Sequence, residues 1–165
     1  MSIVLVDVRP RASYEAGHVP GAVHLDPEAD LSAIGPDPTV GGRHPLPDDA
    51  RLAEVFSRTG IDSRSFVLAY DEGTGWAARC WWSLRHLGHD AAGTFDLGGY
   101  LGPLTAERAE PLRRDFEARP RTGDTITAEE ILARLDDPAR RLPDARSRAR
   151  WLGDEEPLDP VAGRI

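Results

Sequence analysis

Phe66-Val-Leu-Ala-Tyr-Asp71-Glu-Gly-Thr-Gly-Trp76-Ala-Ala-Arg-Cys80-Trp-Trp82 runs an apolar strand into a short glycine loop and then into a helix. Loops at the end of a buried strand often carry catalytic or binding groups. This one is followed, inside the helix, by the only cysteine of the chain. Two questions follow: what the loop holds, and whether Cys80 is a nucleophile.

Outward from this stretch, Phe66–Tyr70 and Ile3–Val8 are short and almost wholly apolar, as strands buried on both faces are. Ala12–Ala16 reads as a short helix stopped at Gly17. Leu52, Val55 and Phe56 give an apolar stripe to a helix that starts at Asp48, a suitable N-cap after Pro47, and closes at Gly60. Trp76–Leu87 is a third helix, followed by a weak strand near Thr94–Leu97. Residues 26–47, rich in Pro, Gly and Asp, read as a long surface loop. Alternating strand and helix predicts an α/β fold with a parallel sheet.

The totals narrow the function. A chain of 165 residues with 40% apolar residues can bury one core, with room for an extension. A net charge of −8 argues against nucleic acid or an anionic membrane as partner. There is no apolar run of about 18 residues to span a bilayer, and the N-terminus does not read as a signal peptide. A single cysteine excludes an internal disulfide and fits a cytoplasmic setting. All 20 basic residues are arginine, which points to coding bias, so single arginines carry little weight.

From Arg119 the character changes. Arg119–Thr125 reads as a linker, and Thr127-Ala-Glu-Glu130 makes a capping box for a helix over Ile131–Leu135. Then Leu142-Pro-Asp144-Ala-Arg146, with Trp151 after it, repeats Leu5-Val-Asp7-Val-Arg9, with Tyr14 after it. Ala162-Gly-Arg-Ile165 partly echoes Ala16-Gly-His18. Order and spacing predict a domain over residues 1–118, a linker over 119–125, and the opening of a second copy over 126–165.

Tyr14-Glu-Ala-Gly-His18-Val-Pro-Gly-Ala22-Val-His-Leu25 resembles the N-terminal signature of the rhodanese family. Gly41-Gly-Arg-His-Pro-Leu-Pro47 and the segment Ala77–His89, with its Trp-Trp pair, resemble the first domain of tandem members that act on thiosulfate or 3-mercaptopyruvate. Phe95-Asp-Leu-Gly-Gly-Tyr100 is similar to the segment after the last strand, with Leu97 where Asp is usual. The resemblance implies an α/β, mostly parallel sheet of about five strands flanked by helices. It also implies sulfane-sulfur transfer through a persulfide on a loop cysteine.

By that resemblance the nucleophile's place falls on Asp71, which cannot form a persulfide. The chain then reads as the non-catalytic first domain of a tandem enzyme, inactive alone, with the catalytic cysteine beyond Ile165. Read from the residues alone, Asp71 is a helix-capping aspartate; a catalytic carboxylate is the alternative. Cys80 falls on a helical stripe with Ala77, Trp81, Leu84 and Leu87 and reads as core; a redox-sensitive or nucleophilic thiol is the alternative. Trp82, off the stripe, is a candidate for packing against a second domain; an exposed or loop-covered ring is the alternative. The family's Asp-x-Arg-x-x-x-Arg segment implies that Asp144 and Arg150 bind a small anionic sulfur donor; the alternative is a pair of solvated charges. His18 is expected to be structural. The remaining histidines lack metal-ligand spacing and no cofactor is expected, while Gly73 and Gly75 make no phosphate-binding motif. Association through the incomplete second domain is a further expectation, and a binding or regulatory rhodanese module is the competing function.

Overall fold

The structure is a computed structural model that describes residues 2–37, 41–158 and 162. In chain order it contains β1 (Ser2–Asp7), α1 (Arg11–Ala16), β2 (Val23–His24), α2 (Asp49–Arg58), β3 (Ser65–Asp71), α3 (Trp76–His86), β4 (Ala92–Asp96), a 3-10 turn (Leu97–Gly99), α4 (Ala128–Leu132) and α5 (Arg148–Leu152). The chain parts into two compact units, residues 1–124 and 125–165.

In the first unit the strands form one parallel sheet in the order β2-β1-β3-β4. Among the described residues it has four strands, against an expectation of about five. The two-residue β2, too short to leave a periodic pattern, pairs Val6 with Val23 and Asp7 with His24. In the centre, Ile3 lies beside Phe66 and Leu5 beside Leu68. Alternation along β3 is clear: Val67 and Ala69 are fully buried, Phe66 and Leu68 partly so. The core gathers Val6, Val8, Val67 and Ala69 from the strands, Leu52, Val55 and Phe56 from α2, and Ala77, Cys80 and Leu84 from α3.

Local chemistry sets the helix ends. The Asp48 carboxylate accepts the Arg51 N–H at 2.8 Å and starts α2. After α2, Gly60 takes φ +78°, and a Cβ there would meet the Leu112 carbonyl oxygen at 3.0 Å. On α3 the buried residues are Ala77, Cys80, Ser83 and Leu84. Trp81 is only partly buried and carries the Arg85 guanidinium over its ring at 5.1 Å. The expected stripe is buried at Ala77, Cys80, Leu84 and Leu87, with Trp81 at one partly buried edge of it and Ser83 at the other, buried edge.

Beyond Tyr100 the chain has no regular element until Ala128, yet it is firmly attached. Thr105 and His18 exchange backbone hydrogen bonds at 2.8 and 2.9 Å. The Arg114 and Phe116 amides donate to the Ser57 carbonyl and hydroxyl. Phe116, 8% exposed, lies 5.2 Å from the Phe56 ring. The Arg119 and Arg121 amides donate to the carbonyls of Leu87 and His86. The stretch read as a linker is therefore strapped to the first unit through Asp124.

In the second unit the capping box at Thr127 and Glu130 is formed, and α4 ends at Leu132, earlier than the sequence suggested. None of its described residues is buried. The Gly163–Ile165 end of the partial echo lies outside the described residues.

Candidate functional site

The site is built at the carboxyl end of the sheet, where β3 gives way to α3. Gly73 and Gly75, at φ +75° and +88°, turn the chain so tightly that side-chain-bearing residues would be strained there. The turn aims backbone N–H groups inward, and the first-turn amides of α3 join them. Their ligand is Asp71, 5% exposed. Its Oδ1 accepts the Gly73 N–H at 3.0 Å; its Oδ2 accepts the Ala77 N–H and the Thr74 hydroxyl, both at 3.0 Å. Burial works to raise the Asp71 pKa, but the donors from Ala77, Thr74 and Gly73 outweigh it and hold the carboxyl below its ordinary value. The loop is an anion cradle filled by a side chain of the chain itself.

Cys80 lies one turn deeper in α3 and is fully buried. Burial pushes its thiol up to about 12, so it carries no thiolate at neutral pH.

Next to β3, the end of β1 carries a buried ion pair. The Arg9 guanidinium meets both oxygens of Asp7, with Nη2 at 2.7 Å and Nε at 3.1 and 3.2 Å, while the Arg9 amide donates to Oδ1 at 2.9 Å. Arg9 also reaches the Gly17 carbonyl at 2.6 Å and, through Nη1, Glu72 of the glycine loop at 3.0 Å. The clip ties the signature segment to the cradle. His18 is fully buried, stacks on Tyr14 with centroids 3.7 Å apart, and sets its ring nitrogens 2.7 and 3.0 Å from the Tyr14 and Glu107 carbonyls. This is a packing position.

The same clip recurs in the second unit. The Arg146 amide donates to Asp144 Oδ1 at 2.9 Å, with Nε 3.0 Å from both carboxylate oxygens and Nη2 at 2.6 Å. In each unit a helix starts four residues after the aspartate, at Arg11 and Arg148, and carries its aromatic ring, Tyr14 or Trp151. Hydrogen bonds from Arg146 pull Asp144 down to about 2. Arg150 turns to Glu156 at 2.6 Å, and Arg146 reaches the same Glu156 at 3.8 Å. Asp144 and Arg150 thus belong to one network, each on a different partner. Sequence reasoning missed Glu156; its one signal was an acidic residue six positions after Arg150. It also missed Arg79, whose guanidinium holds the Leu31, His44 and Pro45 carbonyls at 2.8–3.0 Å and anchors the long loop to α3.

A cleft of about 240 Å³ opens beside the cradle, lined by Pro10, Arg11, Asp26, Pro27, Glu28 and Trp76. Neither Asp71 nor Cys80 lines it. Among the described residues no helix is long and apolar enough to cross a membrane.

Comparison with known proteins bears on the same region. A family model described as a rhodanese-like domain matches residues 1–100. A probable 3-mercaptopyruvate sulfurtransferase of Pseudomonas aeruginosa is 41% identical over 163 residues, which cover 92% of this chain and 56% of that protein. A putative thiosulfate sulfurtransferase, SseB, of Mycobacterium tuberculosis is 35% identical, over 99% of this chain and 62% of the relative. The chain thus spans little more than half the length of these relatives. Among solved structures, the 3-mercaptopyruvate sulfotransferase SseA of Escherichia coli aligns with a TM-score of 0.76 at 26% identity, covering 95% of this chain and 64% of that one.

Proposed function

The chain belongs to the rhodanese family, and on that premise we propose that it is the non-catalytic first domain of a tandem sulfurtransferase joined to the opening of its second domain. The observation that carries this reading is the Asp71 carboxylate seated on the loop amides, at 3.0 Å from Gly73 and Ala77. In the family's chemistry that place belongs to a thiolate, which attacks the outer sulfur of the donor, breaks its bond to the rest of the donor, and keeps the sulfur as a persulfide. A carboxylate satisfies the same electrostatics and cannot do this. Cys80 offers no substitute, since it is buried and protonated.

The recurring Asp-x-Arg clip supports the duplication, with matching atoms at distances that differ by 0.2 Å or less. On this reading Asp144 and Arg150 lie on the substrate side of the second domain. Arg150 exchanges Glu156 for a small anionic donor, thiosulfate or 3-mercaptopyruvate, whose oxygens suit a guanidinium. The setting is the cytoplasm, where one unpaired thiol is ordinary. The exposed Ile126, Leu132, Leu135 and Leu142 of the second unit give it a surface for association. The test is sulfur transfer from thiosulfate or 3-mercaptopyruvate to cyanide: this chain alone forms no thiocyanate above the uncatalysed rate. Turnover by the chain alone would overturn the assignment.

A further inference from the structure

The strap that closes the first unit ends at an unusual histidine. His86, the last residue of α3, sets its Nε2 at 3.0 Å from Asp49 Oδ1 at the head of α2. Its Nδ1 lies 3.1 and 3.0 Å from the two oxygens of Asp124, on the strap. The Trp82 indole, one turn earlier, stacks on the imidazole with centroids 5.0 Å and planes 6° apart. The His86 carbonyl meanwhile accepts the Arg121 N–H at 2.7 Å, so the strap is held at this residue by backbone and side chain together.

Carboxylates only accept hydrogen bonds, so both ring nitrogens must donate, which requires the imidazolium. A neutral ring has one N–H and would turn a lone pair toward one of the carboxylates. The other charges nearby are already engaged. Asp48 caps α2 through the Arg51 amide, and Arg85 and Arg121 both pair with Asp90, at 3.5 and 2.7 Å. A cation at the end of α3 also complements the helix dipole.

We propose that His86 is a pH-operated clasp: charged, it ties residues 119–124 to α2 and α3, and on giving its proton to solvent it releases Asp124. The Asp124 arm opens first because Asp49 is held within a capped helix, whereas Asp124 lies in the bend over residues 122–124, outside any helix or strand. Burial works to lower the His86 pKa, but the hydrogen bonds to Asp124 and Asp49 outweigh it and raise the value. A raised value means the clasp is fully closed below about pH 6.5 and is lost as pH rises through the folded value. Opening lengthens the free chain ahead of Thr125.

The test uses the whole chain. Histidine ring resonances are followed by NMR through a pH titration, with His86→Gln providing the assignment. Amide protection at Arg121, corrected for intrinsic exchange, is followed over the same range. His86 is expected to titrate above the ordinary value of about 6.5, and Arg121 protection to fall by up to about tenfold per pH unit between that ordinary value and the observed titration, levelling off above it. Asp124→Asn is expected to lower the titration and flatten the protection profile. Asp49→Asn, on the other arm, gives an independent reading by lowering the titration. A His86 titration at or below the ordinary value, or an Arg121 protection that stays flat with pH in the unmodified chain, would overturn the proposal.

Discussion

The Asp71 carboxylate accepts the amide hydrogen of Ala77 at 3.0 Å, which ties the last residue of β3 to the first turn of α3 across the glycine loop. The Gly73 amide and Thr74 hydroxyl complete its shell. An anion is held where the sheet ends, as the geometry of the loop demands, but it is an anion without sulfur chemistry.

Asp71→Asn is expected to destabilise the protein by about 1–3 kcal/mol, since an amide satisfies fewer of these donors and loses their charge-assisted part. The folded-state value of Asp71 is lowered, so its contribution is present above the unfolded carboxyl value of about 3.9 and is lost as pH falls through the folded one. Urea denaturation of both proteins across pH checks this. The gap should be widest near neutrality and close under acid; a gap independent of pH would contradict it.

Arg9→Met should cost about 3–5 kcal/mol, because it leaves Asp7, fully buried, without its guanidinium. Adding Asp7→Leu is expected to restore part of that loss. A double-mutant cycle in denaturant measures the coupling, and a cycle with no coupling would contradict the clip.

Phe116→Ala should cost about 3 kcal/mol, the loss of a ring packed against Phe56 and His89. Phe116 lies past the residues matched by the family model. A loss this large in thermal unfolding of the first unit would place the strap in the same cooperative structure. A change below about 0.5 kcal/mol, ordinary for surface positions, would separate the two.

Alkylation of Cys80 in the native protein is expected to wait for unfolding, since the thiol is fully buried and pushed up to about 12. Iodoacetamide labelling followed by mass spectrometry should proceed at the unfolded-chain rate only in denaturant. Rapid native labelling would restore the reactive-thiol reading.

What the sequence made legible was local. The strand-loop-helix around Asp71, the Asp48 cap and the Thr127–Glu130 box each announce themselves within a few residues, and each is formed. The strap over residues 101–124 was not legible. It has no periodicity, and its bonds join Arg114 to Ser57 and Arg121 to His86, partners far away in the chain. Such bonds use backbone groups that every residue carries. For the same reason the stretch read as a linker gave no sign of the Asp124–His86 contact, which pairs residues 38 positions apart. Asp144 and Arg150 were singled out by pattern, but Glu156 sets where Arg150 turns, and no pattern included it.

The most direct test of the central claim is to incubate the protein with thiosulfate and weigh it intact. The account predicts an unchanged mass, because Asp71 fills the cradle and Cys80 is sealed in the core. A gain of one sulfur atom that disappears in Cys80→Ser would contradict it.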